Sequence, residues 1–208
     1  MTANGLRRAV EGSFTFTWAA VGHNCALDRD GGYTSNDYGI TCSYWAQKAF
    51  EELQANLIPG DVVVYRVANM HIRYYTISYI RDTLYPMVQQ KGAKLILIGD
   101  SPYLRNRATF CLPSRFAPNA LENCDTPRAQ AQDAAKTASL QSLAALHPQS
   151  IFFFDLFDLF CEQTRCRATI PGTDTYWAFD EHHWTVAGGM YLWPFWCDYF
   201  SAHNWFLP

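Results

Sequence analysis

Two side chains with acid-base chemistry stand three positions apart in the stretch Tyr176 to Gly189, where Asp180 and His183 precede Trp184, Thr185 and an apolar run. That spacing lets a carboxylate lie against an imidazole, and Thr185 can cap a helix running on through Met190 and Leu192. An acid orienting a histidine base is half of a nucleophilic hydrolase site, and it needs a hydroxyl or thiol to activate. His182 reads as solvent-facing or as a neighbour of the aromatic belt. Asp180, His182 and His183 have no companion ligand cluster at metal-binding spacing, so no metal and no cofactor are expected. The bland reading of Asp180 and His183 is a capped helix start carrying a surface carboxylate. Arg66 and His71 are polar groups beside a strand end that could line a pocket or serve the fold.

The chain that must position these groups has 208 residues, 49% of them hydrophobic, enough for one large domain over residues 1–208 with its own core. A formal net charge of −3, with no block of like charge, leaves no basic field for nucleic acid. Aromatic residues make up 16%. Most of these rings are expected in the core or at its rim, with sugar stacking as their other use. The first six of seven cysteines fall in order into short-range pairs, Cys25/Cys42, Cys111/Cys124 and Cys161/Cys166. Read as disulfides they place the chain outside the cytosol, on an extracellular, periplasmic or secretory-lumen side; read as thiols they are core residues. Cys197 is left over as a buried thiol. The amino end reads as a polar helix rather than a signal peptide, so a targeting segment is expected upstream.

Alternation and breakers divide the chain. A helix over 3–11 precedes a strand over 14–20 that Gly22 ends. A loop over 23–41 leads to a helix over 44–57, with Trp45, Ala49, Phe50 and Leu53 on one face, stopped by Pro59-Gly60. Residues 61–66 form a short apolar strand expected to be buried on both faces. Ile77, Ile80, Leu84 and Val88 give helical spacing over 74–90, with Pro86 a potential kink. A strand over 94–99 and a proline-bearing loop follow. The spacing then predicts a helix from Pro127 to about His147, a strand over 151–155, and the last helix after His183. Strands separated by helices indicate a parallel sheet covered on both faces, an α/β three-layer sandwich of flavodoxin-like type. Functional groups then gather at the carboxyl ends of strands, near Gly22, Asn69, Asp100 and the loop to His183.

This order, with Asp180-x-x-His183 before the last helix, resembles the SGNH hydrolase superfamily, and within it the SGNH domains fused to acyltransferase-3 membrane proteins. The resemblance is carried by Pro59-Gly60-Asp61-Val-Val-Val, Gly99-Asp100-Ser101-Pro102, Asp155-Leu-Phe-Asp-Leu-Phe-Cys161 and Phe179-Asp180-Glu-His-His183-Trp-Thr. It implies a serine esterase or O-acyltransferase acting on acylated carbohydrate, without a cofactor. A membrane acyltransferase domain upstream is the implied partner. Asp180 and His183 are its catalytic pair, and Gly22 and Asn69 fall where the family keeps its oxyanion donors. Val67-Ala68-Asn69-Met70 lacks the glycine and aspartate of the family's Gly-x-Asn-Asp block.

The resemblance leaves two placements for the serine. Ser101 matches the letters Gly-Asp-Ser, but only one further strand separates it from Asp180, where the family has several strand-helix units. The preferred placement puts the serine block just before residue 1, with residues 2–10 as the helix that follows, so that the first strand of the sheet is missing. A glycan-binding pseudoenzyme is the other function class compatible with these residues.

Overall fold

The computed structural model describes residues 42–66, 74–105, 124–132, 134–179 and 183–205. The expected helix over 3–11, the strand over 14–20 and the loop over 23–41 lie outside them, as do Gly22, Asn69 and Asp180. The described residues fall into two compact units: one holds 42–66, 74–100 and 134–155, the other 101–105, 124–132, 156–179 and 183–205.

The first unit begins with helix α1 (Cys42–Asn56). Its Phe50 and Leu53, with Leu57 just beyond, pack against the core. The chain then turns at Pro59-Gly60, where Gly60 has φ +93°, a left-handed conformation that favours glycine. Strand β1 (Val62–Tyr65) follows. Helix α2 (Tyr74–Tyr79), a π turn (Ile80–Leu84) and helix α3 (Tyr85–Gln90) come next, then β2 (Lys94–Ile98). Helix α4 (Ala134–Leu146) and a strand over Ile151–Phe154 complete the unit.

The three described strands of this unit form one parallel sheet with β2 between β1 and the strand over Ile151–Phe154. Register puts Val63, Leu95 and Ile151 side by side, and Tyr65, Leu97 and Phe153 in the next row. Because side chains alternate across a strand, these six share one face. That face is the floor of a core roofed by Ile80, Leu84 and Val88 and by Leu140, Leu143 and Ala144. The opposite face is buried too at Ile96, Ile98 and Phe154. The α/β sandwich with a parallel sheet is therefore observed.

Three elements differ in detail from their sequence expectation. β1 alternates half-buried Val62 and Val64 with buried Val63 and Tyr65, so one face of it is buried rather than two. The helix over 74–90 runs on past Pro86 through a π turn, in which the Tyr85 amide donates to the Ile80 carbonyl five residues back. Proline has no N–H to donate and its ring crowds the preceding turn, and widening that turn accommodates both. The helix expected from Pro127 starts at Ala134, because Thr126 and Pro127 are taken up in a strand and Arg128–Gln130 in a 3-10 turn.

The second unit is built from short pieces. Strand β3 (Thr126–Pro127) pairs antiparallel with a strand over Arg165–Cys166, numbered β5 after β4 (Ile151–Phe154). A 3-10 turn (Phe157–Leu159) precedes the Cys161–Cys166 disulfide. Cys124 is also disulfide-bonded, and its expected partner Cys111 lies outside the described residues. Helices α5 (Val186–Tyr191) and α6 (Trp193–Ala202) close the unit. Cys197 on α6 is a half-buried thiol, with burial pushing its pKa up and Asp198 adding to the effect. Among the described residues no helix is long and apolar enough to cross a membrane.

Candidate functional site

His183 is positioned by a hairpin and a helix cap. The chain from Ala168 to Ala178 is folded back on itself: the Ile170 amide donates to Thr175, the Trp177 amide donates to Ala168, and Thr169 bridges Tyr176. Trp177 is fully buried and its indole N–H donates to the Arg167 carbonyl at 2.6 Å. Ala178 and Trp184 then form an antiparallel bridge, both of them buried. That bridge brings the chain on either side together, with Phe179 following one strand of it and His183 preceding the other.

Packing explains why the bridge is firm. Phe160 is buried at the centre of a ring cluster, with its centroid 4.7 Å from Trp177, 6.0 Å from Trp184 and 5.5 Å from Tyr191. The Tyr191 hydroxyl donates to the Leu159 carbonyl at 3.2 Å. The tryptophans on either side of the loop are therefore held by one aromatic core.

Thr185 caps α5, as its position predicts. Its hydroxyl accepts from the Gly188 amide at 2.9 Å and donates to the Tyr176 carbonyl at 2.8 Å. Its own amide donates to the Trp177 carbonyl at 2.8 Å. One residue thereby ties the start of α5 to the strand entering the loop. Gly188 completes the join, since a Cβ there would lie 2.2 Å from the Trp177 carbonyl oxygen. Only glycine lets the helix come that close.

His183 itself is half-buried. Its carbonyl accepts from the Phe179 amide at 2.9 Å, and its imidazole stacks on the Phe179 ring with centroids 5.5 Å apart and planes 16° apart. Phe179 was not singled out by sequence patterning; the cue available was a large apolar side chain directly beside the acid, 45% exposed in the fold.

The remaining expected site residues separate clearly. Ser101 is described and is 5% exposed. Asp100 before it is buried as well and interacts electrostatically with Arg66. Arg66 directly follows β1 and Asp100 lies two positions past β2, so both stand at the carboxyl edge of the sheet. Desolvation of the Arg66 guanidinium lowers its pKa to about 10, an effect that Asp100 partly offsets. Also at this edge, a Cβ on Gly99 would meet the Phe153 ring at 2.8 Å and an Asp155 carboxylate oxygen at 3.1 Å. Among the described residues no three His, Cys, Asp or Glu side chains are grouped to hold a metal ion.

A parallel sheet packed with helices is consistent with an SGNH-like α/β fold. The chain matches the model of the SGNH domain fused to AT3 domains over residues 9–196, and it belongs to that family. A solved structure with the same fold is that of the lipopolysaccharide acetyltransferase periplasmic domain of Salmonella ser. Paratyphi A. It is 14% identical, with a TM-score of 0.64, over 93% of this chain and 76% of that one. No curated protein matches the sequence.

Proposed function

We propose that this chain is an SGNH-type serine esterase or O-acyltransferase domain in which His183 is the general base and Asp180 orients it. The observation that carries the reading is the mounting of His183. Bridge, cap and aromatic core fix the chain directly beside His183 at the start of α5, three positions after an acid at the family's spacing.

In the proposed reaction His183 takes the proton of a serine hydroxyl as the oxygen attacks an acyl carbonyl. Asp180 holds the ring in the tautomer that can accept that proton and stabilises the imidazolium. Gly22 and Asn69 are the proposed donors to the tetrahedral oxyanion. His183 returns the proton to the departing alcohol, and the acyl group on serine then passes to water or to a sugar hydroxyl. The substrate class is an acylated carbohydrate, in keeping with the acetyltransferase that shares the fold. The partner is a membrane acyltransferase domain of the kind to which this family is fused. An oxidising compartment, periplasmic or extracellular, suits the Cys161–Cys166 disulfide.

The test is covalent labelling of the purified protein, at its full natural length, with a fluorophosphonate, followed by mass mapping of the adduct. The expected result is one labelled serine whose labelling is lost in His183→Ala and falls about a thousandfold or more in Asp180→Asn. Labelling at Ser101 would assign the nucleophile to that residue, against the preferred placement of the serine block. No adduct, or one that forms equally in His183→Ala, would overturn the reading and favour a glycan-binding module without turnover.

A further inference from the structure

The pair Phe179 and His183 sits one step outside the bridge between Ala178 and Trp184, so the two residues face each other. Directly opposed side chains in an antiparallel pair lie on the same face, and here both are flat rings. The planes are 16° apart at a centroid distance of 5.5 Å, within the range of offset stacking. The Phe179 amide also holds the His183 carbonyl at 2.9 Å, fixing the backbone from which the imidazole projects.

Phe179 gains little from burial, being 45% exposed, whereas the neighbouring Trp177, Ala178 and Trp184 are buried. A large apolar ring left this open adds little to a hydrophobic core. What its structure provides is a wall along one face of the imidazole, with rotation about the histidine side chain restricted on that side.

We propose that Phe179 is a positioning residue for His183, holding the imidazole plane so that its ring nitrogens point along a fixed direction in the loop. The inference rests on the reading of His183 as the base and adds a second support to the one expected from Asp180. An aromatic face at position 179 is the required feature. A side chain of similar bulk without a ring removes that wall.

The test uses the full chain with 13C-labelled histidine, the His183 ring resonances being assigned by their absence in His183→Gln. Wild-type protein should show the His183 ring protons displaced by the Phe179 ring current. Phe179→Tyr should keep that displacement and Phe179→Leu should lose it, with both variants melting near the wild-type temperature because position 179 is largely open. In the activity arm, hydrolysis of an aryl acetate by Phe179→Leu should lose on the order of tenfold in kcat with KM within about twofold, and Phe179→Tyr should restore it.

Unchanged His183 resonances in Phe179→Leu would overturn the stack. An unchanged kcat in an active protein, or a loss that Phe179→Tyr does not rescue, would overturn the positioning role. A wild-type protein that shows the ring-current signature but no esterase turnover would overturn both the hydrolase reading and the positioning role that rests on it, leaving the stack as a structural contact.

Discussion

At the scale of single residues, the loop that carries His183 depends on atoms that have no chemical role of their own. The Thr185 hydroxyl accepts from the Gly188 amide, closing the cap, and donates to the Tyr176 carbonyl with a longer contact to the Trp177 carbonyl. Thr185→Val keeps the shape and removes them all, so it should cost about 1–2 kcal/mol, read from the denaturant midpoint, whereas Thr185→Ser should retain most of the stability. Gly188→Ala acts through volume instead. The added methyl would collide with a backbone carbonyl rather than a movable side chain, so α5 must shift. A loss of about 3 kcal/mol is expected, together with weaker protection of the Thr185 and Gly189 amides from exchange. An alanine variant with wild-type stability would mean that α5 has room to retreat from Trp177.

At the scale of elements, the carboxyl edge of the sheet holds a charge pair with a definite energetic signature. Arg66 directly follows β1 and Asp100 lies just past β2, and their mutual field partly offsets the desolvation of the guanidinium. Arg66 is half-buried and Asp100 buried, so removing the guanidinium leaves the carboxylate charged in a poor solvent. Arg66→Met should therefore cost about 3 kcal/mol, and adding Asp100→Asn should return part of that loss rather than add to it. Simple additivity in this double-mutant cycle would show that the two groups act independently.

The same elements show what pattern alone can reveal. The apolar runs at 62–65, 94–98 and 151–154 bounded by breakers were legible as strands, and the spacing of Ile80, Leu84 and Val88 as a buried helical face. Thr185 was legible as a cap because threonine before an apolar run has a local mechanism. The β3–β5 pairing was not, since two-residue strands have no period and pair across 39 residues, Thr126 with Cys166. Pro86 signalled an interruption, but whether the helix bends or widens is decided by the backbone bonding around Tyr85. The Phe179 stack depends on how the loop closes, and Trp177 and Trp184 decide that from outside it.

At the scale of the whole molecule, the two units are held by different means, and this predicts where the chain yields first. The unit with β1, β2 and β4 has a continuous parallel ladder and a core of aliphatic rows. In the described part of the other, the backbone ladder amounts to the β3–β5 pair and isolated bridges, supplemented by ring packing around Phe160 and by disulfides. The Cys161–Cys166 bridge closes a loop of sequence separation 5, and its Cys166 end lies in β5. Removing so short a cross-link raises the entropy of the unfolded chain by an amount equivalent to about 2 kcal/mol. Cys161→Ser/Cys166→Ser should therefore lower stability by that order, and the loss should be local. Hydrogen exchange should quicken in 156–179 and around the Thr126–Cys166 pairing, while the amides of Leu95 to Ile98 keep wild-type protection. Equal loss of protection in both places would mean that the units unfold as one, and that the bridge stabilises the sheet as much as the loop carrying His183.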